Sequence, residues 1–541
     1  MPLLRPTLLI ACLLLAVPVL GVLGAWLALD AAALAVLRHQ WDTVLPGYAA
    51  QSLLLALGVG LGVMVLGSAT AAAVTLFDFP GRRVFEWVLL LPLAMPAYVL
   101  AYAWTDALQF SSPLHTALRE ALGVHRALWP DVRSLPFATV LFVLCLYPYV
   151  YLLTRAALGE RAVRMMEAAR LLGAPMRRRV LEVALPMARP AVAAGTLLAL
   201  METLADYGVG AYFGLTTFST GIYKAWLVMN DRVAAAQLAS ILLLVVAALL
   251  LAERAAQRRM RFVGSQTAAQ GSEARPLQLQ GAAALAAIAL CALPVLLGFV
   301  LPVLWLGHGV WSEWRHGEFG LPWERFWQWS RASFQLAALA AVAATALALA
   351  LAFVLRGGAH GLLGRLLAAA ARVLSLGYAV PGAVIAVGIL LPVGWLQQRW
   401  PEAGTTAVIT GTVLGLLYAY LVRFSAVALQ SVEAGYARVP LSVDETARML
   451  GSAPGRTFVA LHLPLLKRSA GAAALLVFVD VMKELPATLV LRPFGSDTLA
   501  VVAYNLARDE RLAEAALPSL AIVAVGLLPV ILLSRALRRE D

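Results

Sequence analysis

Apolar and polar positions fall in long blocks along this chain rather than in the short periods of a soluble fold. Runs rich in Ala, Leu and Val are predicted at Thr7–Leu29, Ser52–Leu76, Val84–Thr105, Pro136–Leu158, Pro190–Ala211 and Ala234–Ala252. A second series follows at Ala282–Leu306, Phe334–Leu355, Ala368–Pro392, Thr406–Leu429, Ala470–Leu485 and Pro518–Leu533. None alternates as a strand would, and in lipid each backbone polar group needs a partner inside its own segment, so all are expected to be helices. The expected fold class is an all-α, polytopic membrane protein of about 12 transmembrane helices. The first run is longer than the apolar core of a signal peptide and no small-x-small site follows it, so it is read as a spanning helix.

Composition agrees with this pattern. Of 541 residues, 62% are hydrophobic and 13% charged, too apolar a mixture for water alone to solvate. The formal charge of +12 sits largely on Arg in the polar stretches, which suits anionic lipid and an acidic partner rather than nucleic acid. With the N-terminus inside, the first half places 15 Lys and Arg in inner loops and 6 in outer loops, so both termini are expected in the cytoplasm. Cys12, Cys145 and Cys291 lie inside apolar runs and read as inert packing residues. The His are scattered, and no stable metal site is expected.

One polar stretch occurs twice. Glu167–Pro186 (EAARLLGAPMRRRVLEVALP) returns as Glu445–Pro464 (ETARMLGSAPGRTFVALHLP). Glu167 and Glu445, Ala169 and Ala447, Gly173 and Gly451, and Pro186 and Pro464 each stand 278 residues apart. Other landmarks repeat at nearby offsets: Leu91-Pro-Leu-Ala-Met-Pro96 with Leu376-Gly-Tyr-Ala-Val-Pro381, and Tyr147-Pro-Tyr149 with Tyr418-Ala-Tyr420. Small insertions separate the copies, one of them at Glu433–Pro440. In each motif a helix is expected to break at the Gly, and a second short amphipathic helix to end at Leu-Pro before the next span. A single basic copy would suit a helix lying on lipid. Two matched copies, each between spans four and five of its half, point to docking, and Arg177–Arg179 would add attraction to an acidic rim.

The doubled pattern resembles the EAA signature of type I ABC importer permeases. In that family the Gly-containing loop forms a coupling helix seated in an ATPase subunit. The resemblance covers roughly 50–255 and 330–535, and the segments Met201–Trp226 and Phe478–Val501 resemble fused two-domain ferric-iron permeases. Fused thiamine permeases share much of this architecture. The second copy departs from the pattern in having Thr446 where the first has Ala168. The resemblance implies ATPase contacts by Glu167, Ala169, Gly173, Pro186, Glu445, Ala447, Gly451 and Pro464. Its implied domains are a first helix and outer loop (1–50), transmembrane domain 1 (51–255), a cytoplasmic linker (256–280), helix seven and an outer loop (281–329), and transmembrane domain 2 (330–535). The implied partners are two copies of an ABC ATPase subunit at the cytoplasmic face, a solute-binding protein at the outer face, and the lipid of a bacterial inner membrane.

ATP hydrolysis is not expected on this chain. A P-loop needs Gly-Lys-Ser/Thr to hold phosphates. The lysines are Lys224, Lys467 and Lys483, preceded by Tyr223, Leu466 and Met482. ATP and magnesium would belong to the partner subunit, and this chain would bind no cofactor.

The fifth span of each half carries carboxylates. Glu202 and Asp206 are four residues apart, as are Asp480 and Glu484, a spacing that predicts one helix face for each pair. Two readings stand. The four ring a passage and favour a hard cation such as Fe(III), or they are structural, with Lys483 neutralising a neighbour. Gly58/Gly62 and Gly411/Gly415 have the spacing of close helix packing. Tyr98, Tyr102, Tyr147 and Tyr149 read either as lining a route or as interface anchors. An ion-gradient transporter would also have two related halves, but it does not account for the doubled motif. Neither does a membrane scaffold without transport, and no nucleophile–base arrangement supports an enzyme.

Overall fold

The computed structural model describes residues 4–24, 26, 30–264, 277–317, 320–358 and 361–540, with the side chains of 160–164, 258–264 and 533–540 outside that description. Among the described residues ten helices are long and apolar enough to cross a membrane, or eleven if one bent pair counts as a span. The remaining expected span is the Leu463–Met482 helix. It is long enough, at 20 residues, but carries Lys467, Arg468 and Asp480. The chain is an all-α, multi-pass membrane protein.

The third span of each half is broken, where an unbroken helix was expected. Arg82–Ala94 and Ala97–Leu122 meet at 89°. A 3₁₀ turn over Leu91–Ala94 leads to an extended Met95 before Pro96. The second half repeats this with a turn over Gly377–Ala379 and an extended Val380 before Pro381. The cause is local: a proline ring disfavours the helical conformation in the residue before it. Met95 N–H donates to Pro92 O, and Val380 N–H to Gly377 O, both at 3.1 Å.

Proline also explains three wide turns. π-helical segments at Arg179–Ala184, Leu296–Val300 and Phe458–His462 each run directly into a helix whose first turn holds Pro186, Pro302 or Pro464. Proline lacks an N–H and its ring crowds the carbonyl four residues back, a conflict that a wider turn relieves. Pro186 and Pro464 therefore start the following helix rather than end the preceding one, which corrects the sequence expectation.

Other boundaries move as well. The first helix is Leu4–Gly24, and Leu27–Leu29 of its expected span lie outside the described residues. Thr406–Leu429 divides into Thr405–Gly411 and Val413–Tyr436. The expected linker begins as helix, since Arg232–Gly264 runs on into it. Residues 265–276 of that linker, Arg275 and Pro276 among them, lie outside the described residues.

Packing sorts the chain into two compact units. One holds Met1–Thr43, Gly221–Leu243 and Pro322–Val502; the other holds Val44–Thr220, Leu244–Leu321 and Ala503–Asp541. Each unit thus combines pieces of both sequence halves, a different partition from the linear domains. In the first unit the Leu4–Gly24 helix packs on Gly382–Arg399, crossing so closely at Gly388 that a Cβ there would lie 2.2 Å from Pro18 O. In the second, Leu45–Leu76 packs on the helix that begins at Leu135, and Cβ atoms on Gly58 and Gly62 would lie 2.8 Å from Thr139 and 2.3 Å from Val143. That glycine pair packs helices, as its spacing predicts. Gly411 differs, with open space around it, and Gly415 faces the carbonyl of Ile409 in the preceding turn. Cys12, Cys145 and Cys291 are free and buried.

A candidate docking site on the duplicated loops

Both motifs fold into one turn. In the first, the helix ending at Leu171 is capped by Leu172 and a left-handed Gly173 at φ +81°. Gly173 N–H donates to Arg170 O at 2.9 Å, and Ala174 N–H to Ala169 O at 3.0 Å. In the second, the Ser442–Met449 helix is capped by Leu450 and Gly451 at φ +72°. Gly451 N–H donates to Arg448 O and Ser452 N–H to Ala447 O, both at 3.0 Å. Glycine takes this conformation without the Cβ penalty that other residues meet there, and the two bonds satisfy carbonyls left open at a helix end. The glycines and alanines of the motif thus shape the turn. Glu167 and Glu445 stand exposed beside it.

The tips carry a feature that the sequence reading missed. Leu171 and Leu172 are 89% and 88% exposed, and their counterparts Met449 and Leu450 are 89% and 82% exposed. Exposed apolar side chains on spanning helices meet lipid, but these four lie on short polar segments flanked by Glu and Arg. Burying each would contribute about 1.5–3 kcal/mol. The available signal was an apolar pair at the last helical position and the cap, directly before the Gly in both copies.

Charge frames the first tip more narrowly than expected. Arg177 and Arg178 are exposed, but Arg179 is buried, so the expected basic cluster loses one member. Arg178 lies 3.2 Å from Glu182 in an exposed i,i+4 pair.

The carboxylates of span five do not share a helix face. The Leu185–Ala205 helix ends before Asp206, which is extended at ψ 135°, and the Leu463–Met482 helix ends before Lys483. Both distal carboxylates instead cap the short helix that follows. Asp206 Oδ1 accepts from Val209 N–H at 2.9 Å. Glu484 is buried, accepting from Ala487 N–H at 2.9 Å, Thr488 N–H at 3.0 Å and Arg423 Nη1 at 3.2 Å. Short polar side chains at helix starts satisfy open N–H groups in this way. Lys483 Nζ sits 3.0 Å from Asp480. Glu202 is half-buried on the helix itself.

Three of the four tyrosines lie in the core, and Tyr149 is half-buried. Tyr98, Tyr102 and Tyr147 are buried, and Tyr147 O–H donates to Leu89 O at 2.8 Å.

Residues 58–262 match the family described as binding-protein-dependent transport system inner membrane component. The chain is 23% identical over 498 residues to the Fe(3+)-transport system permease protein FbpB 2 of Haemophilus influenzae, covering 90% of this chain and 88% of that one. Over 168 residues it is 29% identical to PhnV of Salmonella typhimurium, a protein assigned to 2-aminoethylphosphonate transport as a permease, covering 31% of this chain and 61% of that one. With ten apolar spans among the described residues and a motif doubled in both fold and hydrogen bonding, the chain is a multi-pass membrane protein that matches the inner membrane component of binding-protein-dependent transport systems over residues 58–262 and is similar to a ferric-iron permease over nine-tenths of its length.

Proposed function

We propose that this chain is the permease subunit of an ATP-driven importer in a bacterial cytoplasmic membrane, with both termini in the cytoplasm. One ATPase subunit docks on each duplicated loop, and a solute-binding protein delivers the cargo at the outer face. ATP and magnesium are held by the ATPase subunits. The observation that carries this reading is the pair of loops with one hydrogen-bonded turn and an exposed apolar tip.

Force would pass through continuous helix. Met176–Ala205 spans 30 residues, about 45 Å at helical rise, from the first loop to the break at Asp206. A shift of the loop therefore reaches the far end of the span. In this reading Asp206 and Glu484 hold the breaks, Lys483 neutralises Asp480, and Glu202 meets the cargo. Ferric iron is the proposed cargo, supported by similarity to the Haemophilus influenzae permease over most of the chain. Oxygen donors suit so hard a cation.

Uptake of radiolabelled ferric iron by iron-starved cells tests the proposal, comparing cells with the gene, without it, and with Gly173 and Gly451 both changed to Asp. Loss of uptake in the last two strains is expected. Unchanged iron uptake in the deletion strain, with no second importer present, would remove iron as cargo. Thiamine would then be measured next, followed by 2-aminoethylphosphonate, the cargo in the name of a relative that matches a third of this chain.

A further inference from the structure

The constant spacing that aligns the two loops also aligns what lies beneath them, and there the chemistry differs. Met166 falls on Asp444 and Ala184 on His462, each 278 residues apart. In the first copy Met166 and Ala184 are buried in an apolar cluster with Leu76, Leu158 and Ala188. In the second copy the same positions hold a charged network. Asp444 Oδ2 accepts from Arg356 Nε at 2.8 Å, and Asp444 Oδ1 lies 2.8 Å from His462 Nε2. His462 Nδ1 is 3.0 Å from the Tyr436 hydroxyl. Arg356 ends the Trp323–Arg356 helix, as Leu76 ends Leu45–Leu76.

Arg356 has further partners. It donates from Nη2 to Val439 O and Pro440 O, both at 2.8 Å, and from Nη1 to Tyr436 O at 3.3 Å. Its guanidinium also lies over the Tyr436 ring, 5.2 Å from the centroid. These carbonyls belong to the end of the Val413–Tyr436 helix and the segment that leads to the second loop, where the second copy has inserted residues. Carbonyls at a helix end lack partners within the helix, and a planar guanidinium can satisfy several at once. The first copy has no such segment, since its helix runs from Leu135 to Leu171 with one break at Gly159.

We infer that Arg356 is a positioning residue for the second docking loop, fixing the entry to the Ser442–Met449 helix through Asp444 and the carbonyls of 436–440, at positions where the first loop has apolar packing of Met166 and Ala184. The two docking sites are thus anchored by different forces, and one can be loosened without the other. That the loops dock ATPase subunits rests on the proposed function; the anchoring itself does not.

The test is amide hydrogen exchange on the full-length permease in lipid nanodiscs without ATPase, following peptides that cover 442–452 and 165–174. Arg356→Leu should raise exchange in 442–452 by about tenfold or more, because Asp444 and the carbonyls lose the guanidinium as a donor, and leave 165–174 unchanged. Asp444→Asn, which keeps the shape, should give a smaller rise in the same peptide. Arg356→Leu combined with Asp444→Met and His462→Ala, which installs apolar residues as in the first loop, should restore much of the protection lost in the single variant. Unchanged exchange in 442–452, an equal rise in both loops, or additive effects in the combined variant would each overturn the inference. Adding the ATPase subunit afterwards separates the two ideas. A normal response to Arg356→Leu with no protection of either tip by ATPase counts against docking and leaves the anchor standing.

Discussion

Arg423 donates to Glu484 across 3.2 Å, and the same carboxylate takes the two N–H groups that open the Pro486–Leu491 helix. Both side chains are largely buried, so removing one leaves the other charge without its counterpart. Arg423→Ala and Glu484→Ala should each destabilise the protein by about 3–5 kcal/mol, seen as a lower thermal midpoint in detergent. If Glu484→Ala unfolded normally yet abolished transport, the carboxylate would belong to the cargo route instead.

Helix packing gives a second contrast. A methyl on Gly388 meets the backbone carbonyl of Pro18, which cannot swing aside, whereas Gly411 has open space. Gly388→Ala should cost about 1–3 kcal/mol through overpacking. Gly411→Ala should be neutral or gain about 0.4–1 kcal/mol. Fluorescence-detected gel filtration after heating would read both, and equal behaviour would contradict the close crossing of Leu4–Gly24 on Gly382–Arg399.

Much of this was legible beforehand where the two copies could be compared. Gly173 and Gly451 sit at one spacing in the sequence and make one turn in space. The carboxylate pairs misled because a four-residue spacing implies a shared helix face only if the helix continues, and here it stops at Ala205 and Met482. Side-chain capping by Asp206 and Glu484 marks those stops, but it is visible only once the following turns are known. Arg356 was illegible for another reason. Its partners lie 80 to 88 residues away, and the first copy has Met166 where the second has Asp444, so repetition offered no signal. The mixing of both sequence halves in each packing unit is likewise a property of helix contacts, not of local pattern.

Turn geometry supplies a third prediction. At φ +81° and +72°, an alanine in place of Gly173 or Gly451 would cost about 1–2 kcal/mol locally. Each single variant should weaken coupling partially and the double variant more strongly, with the rest of the fold intact. Substrate-stimulated ATPase activity of the assembled complex would measure this, and full stimulation in the double variant would contradict the assigned role of the turn.

The central claim is that the exposed tips seat ATPase subunits. Its most direct measurement is ATPase capture by purified permease in nanodiscs, comparing wild type with Leu171→Asp/Leu172→Asp, Met449→Asp/Leu450→Asp and the quadruple variant. Since these side chains are more than 80% exposed, the substitutions should leave the thermal midpoint of the permease unchanged. The account predicts about half the captured ATPase for each paired variant and binding weaker by about a hundredfold or more for the quadruple, from the loss of two apolar contacts per site. Wild-type capture by a folded quadruple variant would contradict it.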